Sequence, residues 1–130
     1  MSRYIITPEQ EFVEAQTLLY IVENKQISSH KNMKVSEESY VLGLLDCIGE
    51  LKRLVLDNIR EGKSKEAQRI FSIMENLYLN LYPFASYDKI LKEARRKLDV
   101  DRILLEDCRT ILTEEIRRKK LIDAINKIKK

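Results

Sequence analysis

The sequence predicts an all-α fold: an antiparallel bundle of about four to six helices, ending in a long helical segment. Three observations lead there. Only three Gly and two Pro punctuate 130 residues, too few turn residues for a β-sandwich or an α/β fold. Apolar residues recur at helical spacing through most of the chain. Between Phe84 and Lys130 there is neither Gly nor Pro. A chain of this length is one domain, spanning 1–130. Its 44% hydrophobic residues supply a core, and its 35% charged residues suit a solvated helical surface.

The first helix starts at Thr7-Pro8-Glu9-Gln10. A capping Thr precedes a Pro at the first helical position, and Gln10 completes a capping box. The pattern carries this helix to Lys25, with 27–32 as loop and His30, the only histidine, as a surface residue there. Phe12, Ala15, Leu19 and Val22 read as its core face. Ser36 caps a second helix, with Glu37 and Glu38 well placed against the dipole, and Gly62 stops it. Ser64 is positioned to cap a third helix that ends near Tyr82, before Pro83. Ser86 then opens either one very long helix or two that break near Leu98-Asp99. Leu91, Ala94, Leu98, Leu105, Cys108 and Leu112 form its apolar stripe, and Asp101 interrupts it.

Net charge is +3 with a pI near 8.8, a mildly basic balance compatible with nucleic acid. The basic residues cluster at Arg95-Arg96-Lys97 and in the tail 116–130, whose only acid is Asp123. Cys47 and Cys108 sit in apolar helical stretches, which suits a reducing compartment better than a disulfide framework. No apolar run approaches the roughly 20 residues of a membrane span, and no secretory signal opens the chain. The expectation is a cytoplasmic protein with no membrane partner.

One stretch stands apart. YVLGLLDCIGEL (40–51) is apolar nearly all round the axis, the mark of a helix buried on most sides. Yet it carries Asp46 and Glu50, four apart on one stripe. Burying an ionised carboxylate without a partner costs several kcal/mol in practice (on the order of 3 or more). A cation is therefore expected beside them: an arginine, a lysine or a metal ion. Gly43 and Gly49 flank the acids, and their missing side chains would let another helix or a substrate backbone approach. The first helix offers a matching pair, Glu11 and Glu14, on a stripe that continues into Leu18 and Ile21. Packed side by side, the two helices would bring four carboxylates to one depth of the bundle. Hard divalent cations such as Mg2+, Mn2+ or Ca2+ favour such oxygen ligands, and Mg2+ keeps water positions open for chemistry. The di-iron alternative wants Glu-x-x-His pairs, which a chain with one His does not supply. The bland alternatives are a solvated face for Glu11 and Glu14, and pairing of Asp46 and Glu50 with Lys52, Arg53 or an arginine of the long helix.

QEFVEA (10–15), YVLGLLDCIGELKR (40–53) and ARRKLDVDRILLEDCR (94–109), in this order, resemble the translin family of translin, translin-associated factor X and archaeal relatives. The resemblance covers about residues 10–113, leaving 114–130 as a basic helical tail. It implies an all-helical subunit of a closed oligomer that binds single-stranded RNA and DNA. In factor X-type members it implies a Mg2+-dependent endoribonuclease, whose catalytic and metal-binding carboxylates fall here on Glu11, Glu14, Asp46 and Glu50. All four are present, so the chain resembles the factor X type. Candidates for phosphate contact are Lys52, Arg53, Arg95, Arg96 and Lys97; structural pairing is expected of Arg102 and Arg109. Family subunits carry further helices before the first motif, whereas Gln10 lies nine residues after Met1. The expectation is that a separate chain supplies them, that the bundle is minimal, or that the sequence is truncated. The leading reading is a metal-dependent endoribonuclease subunit of a homo- or hetero-oligomer. Its rivals are a non-catalytic single-strand-binding subunit and a structural half-subunit completed by a partner chain.

Overall fold

The computed structural model describes residues 7–86 and 91–129. In chain order these form helices α1 (Pro8–Val22), α2 (His30–Met33), α3 (Glu37–Arg60) and α4 (Ser64–Leu81), a 3-10 segment (Tyr82–Ser86) and α5 (Leu91–Ile128). No strand occurs among the described residues. α3 is the central helix, packed against α1, α4 and α5. Short connections make α3, α4 and α5 successive antiparallel neighbours. The segment 23–36 instead crosses back over the bundle. α1 therefore runs beside α3 in the same sense, with Glu9 reaching the start of α3 at Ser36 and Val13 lying against Gly43.

Local signals explain most of the boundaries. Thr7 Oγ1 accepts from the Gln10 backbone N–H at 3.2 Å, and Gln10 Oε1 accepts from the Thr7 N–H at 2.8 Å, the reciprocal pair of a capping box. α1 stops at Val22 rather than Lys25 because Asn24 turns left-handed (φ 57°). The Asn24 and Lys25 N–H groups then return to the Ile21 and Tyr20 carbonyls at 3.1 and 2.7 Å, a Schellman closure built on Asn. Gly62 (φ 76°) closes α3 in the same way, as expected, with Lys63 N–H on the Asn58 carbonyl at 2.8 Å. That closure makes Lys63, not Ser64, the residue before α4, and no side chain caps it. Ser36 caps α3, accepting from Ser39 N–H at 3.1 Å. The expected loop 27–32 contains the turn α2, capped by Ser29, which delivers Met33 to the core. His30 is half-buried against Tyr40, ring centroids 5.9 Å apart.

α5 is a single helix with no break at Leu98-Asp99. The expected opening at Ser86 runs into residues 87–90, which lie outside the described residues. The core has two parts strung along α3. One gathers Ile48, Leu51 and Val55 with Ile70, Met74, Leu105 and Cys108. The other gathers Val41, Leu44 and Leu45 with Val13, Leu81, Ala94 and Leu98. Each fully buried aliphatic here contributes about 1.5–3 kcal/mol from removal of its surface from water. Cys47 and Cys108 are both buried as free thiols. α1 corrects the sequence reading: its buried residues are Gln10, Val13, Thr17 and Ile21, and Phe12, Ala15, Leu19 and Val22 face outward. Periodicity cannot choose between two apolar stripes of one helix; the close approach at Gly43 chooses the Val13 stripe.

Candidate acidic site

Gly43 sets the site's geometry. A Cβ built there would lie 2.7 Å from Val13 Cβ and 2.9 Å from the Gln10 carbonyl. Only glycine lets α1 sit this close to α3. With α1 docked so, Glu14 joins the field of Asp46 and Glu50: burial raises its pKa first, and the charges of Asp46 and Glu50 raise it further, against a lowering by Lys97. Glu11 stands exposed at the solvent edge and adds a smaller push on Glu14. Gly49 does not serve a close approach. Its nearest neighbour would be Leu104 Cδ1 at 3.9 Å, ordinary contact distance.

The cation that the sequence asked for is Lys97, on α5. Its ammonium is hydrogen-bonded to Asp46 Oδ1, and the two side chains are 7% and 16% exposed. Lys97 thus points into the acid cluster, whereas the sequence placed it among surface residues for phosphate. One turn further on, Asp101 is also buried, and its pKa is raised to about 8, by desolvation first and then by the Asp46 charge, with Lys97 opposing. The Oδ2 atoms of Asp46 and Asp101 are buried without a hydrogen-bond partner among the described residues. Asp101 is the residue that sequence reasoning missed as part of this site. The available signal was an Asp on the apolar stripe of the long helix, four residues after Lys97. The Cys47 thiol lies among the same acids, and its pKa is pushed far up, chiefly by burial and then by Glu14 and Glu50; it is an inert core thiol.

The remaining basic candidates divide. Arg53 is exposed and 3.9 Å from Glu50. Lys52 is 3.5 Å from Asp107 of α5. Arg95 and Arg96 are exposed on α5, Arg96 pairing with Glu93 at 3.0 Å. Arg102 lies 3.8 Å from Glu106. Arg109 pairs with Glu75 at 2.7 Å and stacks over Phe71. Both follow the structural role expected of them.

Chemically, the site is a carboxylate cluster shared by α1, α3 and α5, with hard oxygen donors and two unsatisfied carboxylate oxygens. That donor set suits a divalent cation of the Mg2+ kind. Among the described residues, however, no three His, Cys, Asp or Glu side chains form a group that would hold a metal ion, and the Lys97 ammonium is the charge that faces Asp46.

An all-helical bundle with carboxylates on its central and first helices is a recognisable class of fold and site. The sequence profile of the Translin family matches residues 5–106, and the chain belongs to that family. An uncharacterized protein of Methanocaldococcus jannaschii is 38% identical over 126 residues, 96% of this chain and 56% of the relative. The structure of AfC3PO in complex with duplex RNA superposes with a TM-score of 0.75 at 28% identity, over 85% of this chain and 58% of that one. Apo-NeC3PO gives 0.73 at 26% identity, over 82% and 56%. The chain thus spans somewhat more than half the length of these relatives. Among the described residues no helix is long and apolar enough to cross a membrane.

Proposed function

We propose that this chain is a nucleic-acid-binding subunit of a translin-type oligomer and that it hydrolyses single-stranded or partly structured RNA with Mg2+ or Mn2+. The observation that carries the reading is the close approach at Gly43, which brings α1 near enough to α3 for the charges of Asp46 and Glu50 to act on the Glu14 carboxyl, beside Asp46 and Asp101 oxygens that are buried without a hydrogen-bond partner among the described residues. Glu11, Glu14, Asp46 and Glu50 are the residues that would hold the ion, once side chains that form no metal-holding group as they stand here turn towards it. A bound divalent ion lowers the pKa of a water and offsets charge on the scissile phosphate. The chain's own residues do the rest. A carboxylate of the set not engaged with the ion would accept a proton from the attacking water. Arg53, Arg95 and Arg96 present positive charge at the surface for the RNA backbone, a contact with little sequence preference. Similarity to AfC3PO, solved with duplex RNA, supports an RNA ligand.

Asp46 neutralised by Lys97 favours one rival, a subunit that binds RNA without cutting it. A cleavage assay with and without Mn2+, on wild type, Asp46→Ala and Glu11→Ala, separates the two. The nuclease reading expects Mn2+-dependent cleavage that both variants lose while still binding RNA. Cleavage undiminished in both variants would refute it, and binding without cleavage by wild type would leave the rival standing.

A further inference from the structure

One face of α1 is apolar and, among the described residues, exposed. Phe12, Leu19 and Val22 are 44%, 51% and 56% exposed. At 3.6 residues per turn they share a stripe on the side away from Val13, Thr17 and Ile21. Glutamates border it: Glu11 along one edge, and along the other Glu9, which also accepts from the Ser36 N–H, and Glu23, which lies 3.5 Å from Lys25. α1 itself contains no Lys or Arg.

The far end of α5 is its chemical complement. Every residue from 117 to 129 is exposed, so the helix runs on for about 18 Å after the bundle ceases to cover it. Leu121, Ile125 and Ile128 form an apolar stripe there, 61%, 43% and 83% exposed. This stripe lies on the side of α5 opposite Leu105, Cys108 and Leu112, so a straight helix does not bring it onto its own bundle. The segment 117–129 holds six Lys or Arg against one acid, Asp123. A helical end of this length is marginal alone in water, and two such tails repel each other. An acidic-edged apolar face of similar length is the partner that suits it.

We propose that the overhanging end of α5 in one copy of this chain docks on the Phe12–Leu19–Val22 face of α1 in a second copy, apolar stripe on apolar stripe, with the basic flanks against the glutamates. Two such contacts about a twofold axis close a dimer. The proposal rests on the oligomeric half of the function argued above; it shares Glu11 with the catalytic half, so the test alters Leu19 and Ile125, which that half does not use.

Leu19→Asp and Ile125→Asp both alter side chains exposed in the single chain, so each variant keeps wild-type helicity by circular dichroism. In gel filtration with light scattering, wild type gives a multiple of the chain mass that falls as salt rises. Each variant alone falls to a smaller mass. An equimolar mixture regains a mixed species, because the first variant retains a sound tail and the second a sound α1 face. Wild-type mass in Leu19→Asp alone would assign the contact to the tails, and wild-type mass in Ile125→Asp alone to the α1 faces; either overturns the proposal, as does a mixture that forms nothing. If Ile125→Asp keeps the mass while Arg117→Glu weakens RNA binding, the tail is a nucleic-acid arm instead. A monomeric wild type overturns both this contact and the oligomeric reading, whereas an oligomer indifferent to both variants overturns this contact alone.

Discussion

Asp101→Asn offers a test with a sign and a slope. Asp101 is 4% exposed and packs one turn from Lys97, with the Asp46 charge nearby. Its carboxyl rises from 3.8 to about 8 in the folded chain. Between those values the native state holds a proton that the unfolded chain has released. The proton count is then higher in the native state, so stability falls as pH rises through this window. One pKa unit is 1.36 kcal/mol, which puts the penalty at pH 7 on the order of 4 kcal/mol and at pH 5 nearer 2. Asparagine resembles the protonated acid in shape and does not titrate, so it removes this penalty. The test is urea unfolding of both proteins in EDTA between about pH 5 and pH 9. The stability difference, variant minus wild type, is expected to grow by roughly 1.4 kcal/mol per pH unit up to the folded pKa and then level off. Any constant offset from the amide's own hydrogen bonding leaves that slope untouched, and titrating groups away from Asp46, Lys97 and Asp101 cancel. A flat difference would refute the reasoning, because it would mean that Asp101 is ionised at neutral pH beside a counter-charge.

Gly43→Ala and Gly49→Ala should move in opposite directions. The first forces a methyl to 2.7 Å from Val13 and is expected to cost about 1–3 kcal/mol and to draw Glu14 away from Asp46. The second meets only Leu104 at 3.9 Å and should stabilise by about 0.5–1 kcal/mol; urea midpoints decide, and equal effects would show that Gly43 is not a contact glycine. Lys97→Met leaves a buried carboxylate without its cation and should lower stability by about 3 kcal/mol, with Asp46→Asn added in the same chain recovering much of the loss in thermal melts. Arg95→Ala should weaken RNA binding to all sequences alike and reduce the salt slope by about 1, read by fluorescence anisotropy over a salt series; an unchanged slope would remove it from the phosphate contacts.

Much of the fold was legible because helix signals are local. The box at Thr7 and Gln10, the cap at Ser36 and the left-handed stop at Gly62 each involve residues within a few positions of one another, and each forms as read. The misses are instructive for the same reason. Asn24 ends α1 as a glycine would, but Asn adopts the left-handed conformation only where its surroundings favour it. The stripe of Phe12, Leu19 and Val22 looked like core since an apolar pattern marks a face without saying whether anything covers it.

The sequence by itself determined the helices, the central burial of YVLGLLDCIGEL, the four carboxylates and the demand for a cation beside Asp46. Only the tertiary structure decided which cation faces it: Lys97, fifty-one positions away, turned inward from a cluster that reads as a basic surface patch. It also decided that Asp101 joins the acids and that Gly43, not Gly49, admits a neighbouring helix. The division has a physical cause. Capping and periodicity are written within one or two helical turns, whereas desolvation and charge pairing depend on which helix lies across the interface, and that is settled only when the bundle packs.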